Sequence, residues 1–230
     1  MEVRPMRTKQ YAALFLAAAL ALSLAGCGMN EDKNKNKGGA MTIQPAQLSQ
    51  EETDLLDLLA IQADNYRIFD FQLKENSGVQ SMSLTVYELA EGDWKVIAQS
   101  QKAFTDPEGR IALTVGKVTD GMTTAVQSAS GGGSNTYTPI PKDDVSGMAF
   151  ATSKLSEPAA IELNQEIPLM LQVATAKSEF TTYDVDYFGM PRELAKHGYE
   201  HVYAITVAFS EKTSAQLDQA PSAAEPSPAE

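Results

Sequence analysis

The chain has 230 residues, of which 30 are acidic and 18 are basic, so its formal net charge at pH 7 is −12. This charge argues against binding to nucleic acid or to anionic lipid head groups, since both need a basic surface. The single cysteine excludes an internal disulfide, so the fold depends on its hydrophobic core, and the length favours one domain.

The N-terminus carries a short basic segment followed by an apolar one. Arg4, Arg7 and Lys9 precede an apolar run from Tyr11 to Leu24. A transmembrane helix needs about 20 apolar residues, whereas the core of a secretory signal peptide needs only about 7 to 15. The run therefore favours a signal peptide over residues 1–26.

The apolar run ends in Leu24-Ala25-Gly26-Cys27, which resembles the lipobox of bacterial lipoprotein precursors. In that family the cysteine receives a diacylglyceryl group, becomes the first residue after cleavage and is often acylated at its new amino terminus. Two acyl chains form a stable anchor, whereas one binds a membrane only marginally. The resemblance covers residues 1–27 and implies lipid attachment at Cys27, with the remaining chain held at the extracytoplasmic side of the cell membrane.

Residues 27–48 are mostly polar, which predicts a flexible tether. Ser49 and Glu52 then have the spacing of a capping box, and the leucines that follow recur with helical spacing. We expect a short amphipathic helix over about 50–64, at the start of a domain that spans residues 49–212.

From Tyr66 onward, apolar and polar residues alternate with a period of two, which is typical of β-strands. Short runs of this kind, separated by Gly, Pro, Asp and Ser, predict a mostly β fold, and we expect an antiparallel β-sandwich. The predicted strands lie within Phe69–Leu73, Met82–Val86, Trp94–Ala98, Ile111–Val115, Met122–Val126, Met148–Ala151, Ile161–Leu163, Ile167–Val173, Tyr183–Tyr187 and Tyr203–Phe209.

Two segments interrupt the strand pattern. Ser128–Ser146, which is rich in glycine, serine and proline, is predicted to be irregular, and Met190–His197 is predicted to be a small helical insert. Residues 213–230 consist largely of Ala, Pro, Ser and Glu, which predicts a disordered tail.

His197 and His201 belong to the sequence His-Gly-Tyr-Glu-His, which resembles the H-x-x-E-H motif of inverted zincin metallopeptidases. That chemistry requires both histidines on one helical face, with a third zinc ligand elsewhere. Pro191 fits the first turn of a helix and Gly198 fits the position just after its end, so the helix should stop between the histidines. We therefore expect His197 at a helix C-terminus and His201 at the start of a strand, without a metal.

Asp184 and Asp186 would lie on the same face of the predicted strand at 183–187. Paired carboxylates bind calcium or act as acid and base. A solvated face opposite the apolar residues of that strand is the favoured interpretation.

Aromatic residues in the loops are the remaining candidates for ligand contact. Tyr137 lies in the Gly/Ser/Pro segment and Phe188 precedes a glycine, and loops at the ends of a sandwich carry function more often than its faces. Trp94 is in phase with the apolar side of its strand and is expected in the core.

These patterns favour a lipid-anchored, non-enzymatic envelope module that binds a protein, peptide or glycan through loops such as 128–146 and 183–199. The alternative is a tethered hydrolase that acts on envelope polymers or peptides and uses carboxylate pairs or His197 and His201. Capture of a substrate for an importer is disfavoured, since such lipoproteins are usually larger two-lobed α/β proteins. No cofactor is expected.

Overall fold

The structure is a computed structural model that describes residues 39–139 and 145–218. Two antiparallel sheets pack face to face, so the predicted mostly β fold and antiparallel sandwich are confirmed. The predicted signal peptide, Cys27 and the residues beyond 218 lie outside the described residues.

The first sheet has six strands in the spatial order 7-6-5-2-1-9. Its strands are β1 (Thr42–Pro45), β2 (Tyr66–Gln72), β5 (Glu108–Thr114), β6 (Met122–Ser128), β7 (Gly131–Tyr137) and β9 (Ala159–Ala160).

The second sheet has five strands in the spatial order 4-3-11-10-8. Its strands are β3 (Ser81–Ala90), β4 (Asp93–Ala103), β8 (Ala149–Lys154), β10 (Glu166–Thr175) and β11 (His201–Ser210). The helices are α1 (Gln50–Leu58), α2 (Pro191–Lys196) and α3 (Ser214–Asp218), and short 3₁₀ turns lie at Ala63–Asn65, Val118–Asp120 and Val185–Gly189.

The core lies between the sheets, where the alternating apolar residues of both meet. Phe71 of β2 contacts Phe209 of β11, with ring centroids 5.2 Å apart. On the same inner face, the fully buried Gln172 of β10 donates to the Gly116 carbonyl and accepts from the Val118 amide. This side chain therefore links the five-stranded sheet to the loop that follows β5. Both polar atoms of its amide group are hydrogen-bonded, as buried polar groups generally are.

The segment from 176 to 200, here called the insert, packs on the outer face of the five-stranded sheet. It contains the predicted small helix, α2, and the 3₁₀ turn at Val185–Gly189. Because the insert covers this face, β11 is buried on both sides over most of its length. The regular alternation of buried and exposed residues is therefore lost there.

Helix α1 is shorter than predicted. The capping box is present as expected, since the Glu52 amide donates to the Ser49 hydroxyl and the Ser49 amide donates to the Glu52 carboxylate. The helix ends at Leu58 rather than near 64, because Ala60 adopts a left-handed conformation with φ 54°. Its amide and that of Ile61 then donate to the Asp57 and Leu56 carbonyls, which closes the helix with a Schellman motif.

Four further predictions change. Thr42–Pro45, within the predicted tether 27–48, form β1 and pair with β2, and Ile43 is fully buried. Part of the segment 128–146, predicted to be irregular, forms β7, which pairs along its whole length with β6. The strand predicted at 183–187 is wrong, since this stretch leads into the 3₁₀ turn of the insert. Part of the predicted tail, 214–218, forms α3.

Candidate functional site

Helix α1 presents an apolar face to solvent. Leu55 is 56% exposed, Leu58 is 81% exposed and Leu59 is 60% exposed. Residues separated by three and four positions share one face of a helix, so these side chains form one surface, here called the leucine face. None of the nine residues of α1 is buried.

Polar contacts, rather than apolar packing, hold α1 against the outer face of the six-stranded sheet. The Arg110 guanidinium contacts the Glu52 carboxylate and donates through Nε to Asp70 Oδ1 at 2.7 Å. Asp70 and Arg110 are opposite each other on β2 and β5. The Ser49 amide, followed by Arg110, lowers the pKa of Glu52, so this carboxylate is ionised at neutral pH. The anchored side of α1 is therefore its N-terminal turn.

Acidic residues lie beside the leucine face, because Glu51 and Asp54 precede Leu55 and Leu58 by one helical turn. Glu51, Asp54 and Asp57 lie on the same helix, and its last turn has no basic residue. An apolar surface with an acidic rim favours a partner whose own surface is apolar with basic residues around it.

The insert differs from α1 because it is embedded. Val185 and Leu194 are buried against the five-stranded sheet, and Tyr183 is nearly so. Burial raises the pKa of Tyr183 to about 12, and its contact with the Tyr199 hydroxyl at 3.1 Å adds to the shift.

A groove of about 500 Å³ lies between the β3–β4 turn and α2. Leu89, Leu194 and Val202 contribute its apolar lining, and Arg192 and Lys196 its cations. Lys196 is paired with Glu193 at 2.6 Å. The groove is large enough for a small ligand, but its mixed lining does not select a ligand class.

Phe188 is part of an aromatic stack and is half-buried. Its ring lies on that of Trp94, with centroids 5.2 Å apart and planes at 23°. The Trp94 indole N–H donates to the Phe188 carbonyl at 2.8 Å. Both residues therefore fasten the insert to β4, and Trp94 is in this stack on the outer face rather than in the core between the sheets.

Tyr137 is also half-buried and lies at the open side of the sandwich, between the edge strands β4 and β7. Its hydroxyl donates to Ser100 Oγ at 2.7 Å, which joins the two sheets. Its ring lines a cavity of about 380 Å³ between them. The loop aromatics are thus not exposed stacking platforms, although Tyr137 does line a cavity.

The two histidines do not share a helical face. His197 follows the last residue of α2, Gly198 then has φ 57°, and His201 begins β11. The His197 ring stacks on Tyr199, whereas His201 Nδ1 lies 3.1 Å from Glu88 Oε1. The predicted helix end between the histidines is confirmed. Within residues 39–139 and 145–218, no three His, Cys, Asp or Glu residues are grouped as metal ligands.

Asp184 and Asp186 also have local roles in place of the predicted strand face. Asp184 caps the 3₁₀ turn, where its carboxylate accepts from the Asp186 amide at 3.3 Å. Both carboxylates are exposed. The residues considered for hydrolysis are therefore not brought together around one cavity.

Sequence reasoning placed the leucines on a short amphipathic helix but did not predict that they would be exposed. One sequence signal for their exposure is the number of carboxylates. Four of the nine residues of α1 are acidic, so the helix has little uncharged surface to pack against a sheet.

Among the described residues, no helix is both long and apolar enough to cross a bilayer. Comparisons with protein-family models, curated proteins and solved structures gave no match.

Proposed function

We propose that the protein is a lipid-anchored, extracytoplasmic interaction module that binds an envelope protein through the leucine face of α1. The anchor is Cys27, which is supported by the resemblance of residues 1–27 to lipoprotein precursors. The observation that carries the interaction is the exposure of Leu55, Leu58 and Leu59 on one face. Exposed apolar patches on soluble domains mark interaction surfaces.

The energetics favour a weak contact that the membrane strengthens. Burying three leucines gains on the order of 4 to 8 kcal/mol, whereas association costs about 4 to 15 kcal/mol in lost freedom. The leucine face alone therefore supports only transient binding. A lipid anchor that confines the protein to the same surface as its partner raises the effective concentration and makes such a contact useful.

The helix also limits the shape of the partner. Short amphipathic helices dock into apolar grooves through anchors at i, i+3 and i+4, which is the spacing of Leu55, Leu58 and Leu59. Because α1 carries Glu51, Asp54 and Asp57, the groove of the partner should have a basic rim.

Site-specific photo-crosslinking in intact cells tests this proposal. We expect a photoreactive amino acid at Leu58 to give one discrete protein adduct, and the same probe at Val96 to give none. Val96 is a matched control because it is 57% exposed but lies on β4. The Leu58 adduct should disappear with Cys27→Ser, which removes the anchor and should release the protein from the membrane.

Adducts of equal yield from both positions, or adducts with lipid alone at Leu58, would contradict docking of a protein on α1. Retention of Cys27→Ser in the membrane fraction would contradict the anchor.

A further inference from the structure

Strand β7 is an edge strand that lacks the charges, prolines and bulges that usually prevent another strand from pairing with an edge. Among residues 39–139 and 145–218 it pairs only with β6, and it ends the six-stranded sheet. Its sequence, Gly-Gly-Gly-Ser-Asn-Thr-Tyr, has no charge and no proline, and its register with β6 is continuous. Such edges are open templates for a further strand, because one row of backbone N–H and C=O groups is unpaired.

The neighbouring edge, β4, is protected. Its pairing with β3 shifts register between Val86 and Tyr87, and it carries Lys95 and Lys102. Irregularities and lysines of this kind prevent strand addition. At this open side of the sandwich, β7 is therefore the edge that can accept a strand.

Two cavities lie behind β7, between the sheets. The larger, of about 380 Å³, is lined by Val86, Met122 and Tyr137. The smaller, of about 130 Å³, has a mixed lining of Leu84, Val126 and Gly133 together with polar residues that include Ser100, Gln101 and Lys102. Tyr137, which lines the larger cavity, donates its hydrogen bond across the sheets to Ser100, which lines the smaller one.

Glycine keeps the smaller cavity open. Gly133 is opposite the buried Val126, so a side chain at position 133 would point between the sheets. A Cβ there would lie 3.5 Å from Lys102 Nζ, which is ordinary contact. A larger side chain would therefore fold into this position and fill the space that glycine leaves.

The cavities have the spacing of alternate residues in an extended chain. On β3, Val86 lines the larger cavity and Leu84, two residues away, lines the smaller one. On β6, the corresponding residues are Met122 and Val126, which are four residues apart. At about 3.3 Å per residue this is roughly 7 to 13 Å. Side chains on one face of an added strand recur about every 7 Å, so two of them can enter both cavities.

We propose that β7 is a docking edge for an extended peptide segment of a partner protein, uncharged or basic, whose alternating apolar side chains enter these two cavities. Backbone pairing with β7 supplies affinity and the cavities supply specificity, as in other cases of strand addition. The preference for an uncharged or basic peptide follows from the net charge of −12, which repels acidic segments.

A second copy of this chain fits the edge less well than such a peptide. The inward positions of β7 are Gly133, Asn135 and Tyr137, and Tyr137 is already bonded to Ser100. Paired β7 strands would therefore offer no apolar side chain to the cavities of the other copy. Their common negative charge also opposes self-association.

The test is titration of the full chain with two peptides of identical composition, Lys-Val-Ser-Val-Ser-Val-Lys and Lys-Ser-Val-Val-Val-Ser-Lys. We expect the alternating peptide to bind and to slow hydrogen exchange at the β7 amides, and the second to bind about tenfold more weakly or less. Gly133→Val should weaken the first peptide by about tenfold, since one cavity is lost. Thr123→Val, on the outer side of β6, should leave its affinity unchanged.

Leu58→Gln should also leave peptide binding unchanged, which separates this proposal from docking on α1. If Gly133→Val does not retain the slow exchange of β11, Asn135→Lys places a charge on the same inward face as a second variant. Absence of binding, equal binding of both peptides, or binding without protection of β7 would each overturn the proposal. Protection of β7 that rises with protein concentration in the absence of peptide would overturn it in favour of self-association.

Discussion

The two sheets of the sandwich differ in what covers their outer faces. On the five-stranded sheet, the insert buries Val185 and Leu194 and is fastened by the stack of Phe188 on Trp94. On the six-stranded sheet, α1 buries none of its residues and is held through the contact of Glu52 with Arg110. Both segments are short amphipathic elements, yet only one belongs to the core.

The difference follows from the sheet surface beneath each segment. Under the insert the outward positions are apolar, including Leu171, Val173 and Val202, which are buried there. Under α1 they include Asp70 and Arg110, which form an ion pair with each other. Apolar side chains have no hydrophobic gain on a charged surface, so α1 turns its leucines outward. The insert is therefore part of the fold, and α1 is a presented surface.

The largest difference in unfolding free energy is expected when one leucine of each segment is replaced by alanine. Leu194→Ala should cost about 2 to 5 kcal/mol of unfolding free energy, because Leu194 is fully buried. Leu58→Ala should change it by no more than about 0.5 kcal/mol, because Leu58 is 81% exposed. Urea unfolding of each variant measures the two values. Similar costs at the two positions would contradict the distinction between a buried insert and a presented helix.

The second largest effect is expected at alkaline pH, which should destabilise the five-stranded sheet and the insert that covers it. Burial raises the pKa of Tyr183 to about 12, from an ordinary value of 10.0. Burial also raises the pKa of Tyr87, beside Glu166 on the covered face, and that of Tyr203, beside Glu88 on the inner face of the same sheet. A raised pKa in the folded state favours the neutral phenol, so this stabilisation is complete below about pH 10 and is lost as the pH rises through 12.

Absorbance of tyrosinate during a pH titration tests this expectation. In the folded protein, part of the increase in tyrosinate absorbance should occur at a higher pH than in the protein unfolded in urea. That part of the increase should coincide with the loss of structure. A single titration near the ordinary value in both samples would contradict the burial of these phenols.

The smallest effect is expected from the cap of α1. Ser49→Ala removes the hydroxyl that accepts from the Glu52 amide, which costs about 0.5 to 1 kcal/mol of helix stability. Because α1 has no fully buried residue, the loss should appear as faster hydrogen exchange within Gln50–Leu58 and leave the urea midpoint of the whole protein nearly unchanged. A clear fall in that midpoint would mean that α1 contributes to global stability.

Much of the fold follows from local sequence patterns. The alternating runs that end in Tyr203–Phe209 predicted the sandwich, and Ser49 with Glu52 predicted the start of α1. Pro191 and Gly198 predicted the helix that ends between the two histidines. Each of these signals depends on residues only a few positions apart, and such interactions form in much the same way whatever the rest of the chain does.

Other features depended on distant partners. Residues 131–137 have no alternating apolar pattern, yet they form β7 because β6 supplies a continuous register. Tyr183–Tyr187 do alternate, yet they form no strand, since their apolar side chains pack on the five-stranded sheet from above.

The sequence by itself determined the class of fold, the start of α1, the end of α2 and the lipobox resemblance at Cys27. Only the tertiary structure decided that the leucines of α1 are exposed while Leu194 is buried, and that Gly133 opens a cavity behind an unprotected edge. Burial is a property of two surfaces that meet, and the second surface is contributed by residues far away in the chain.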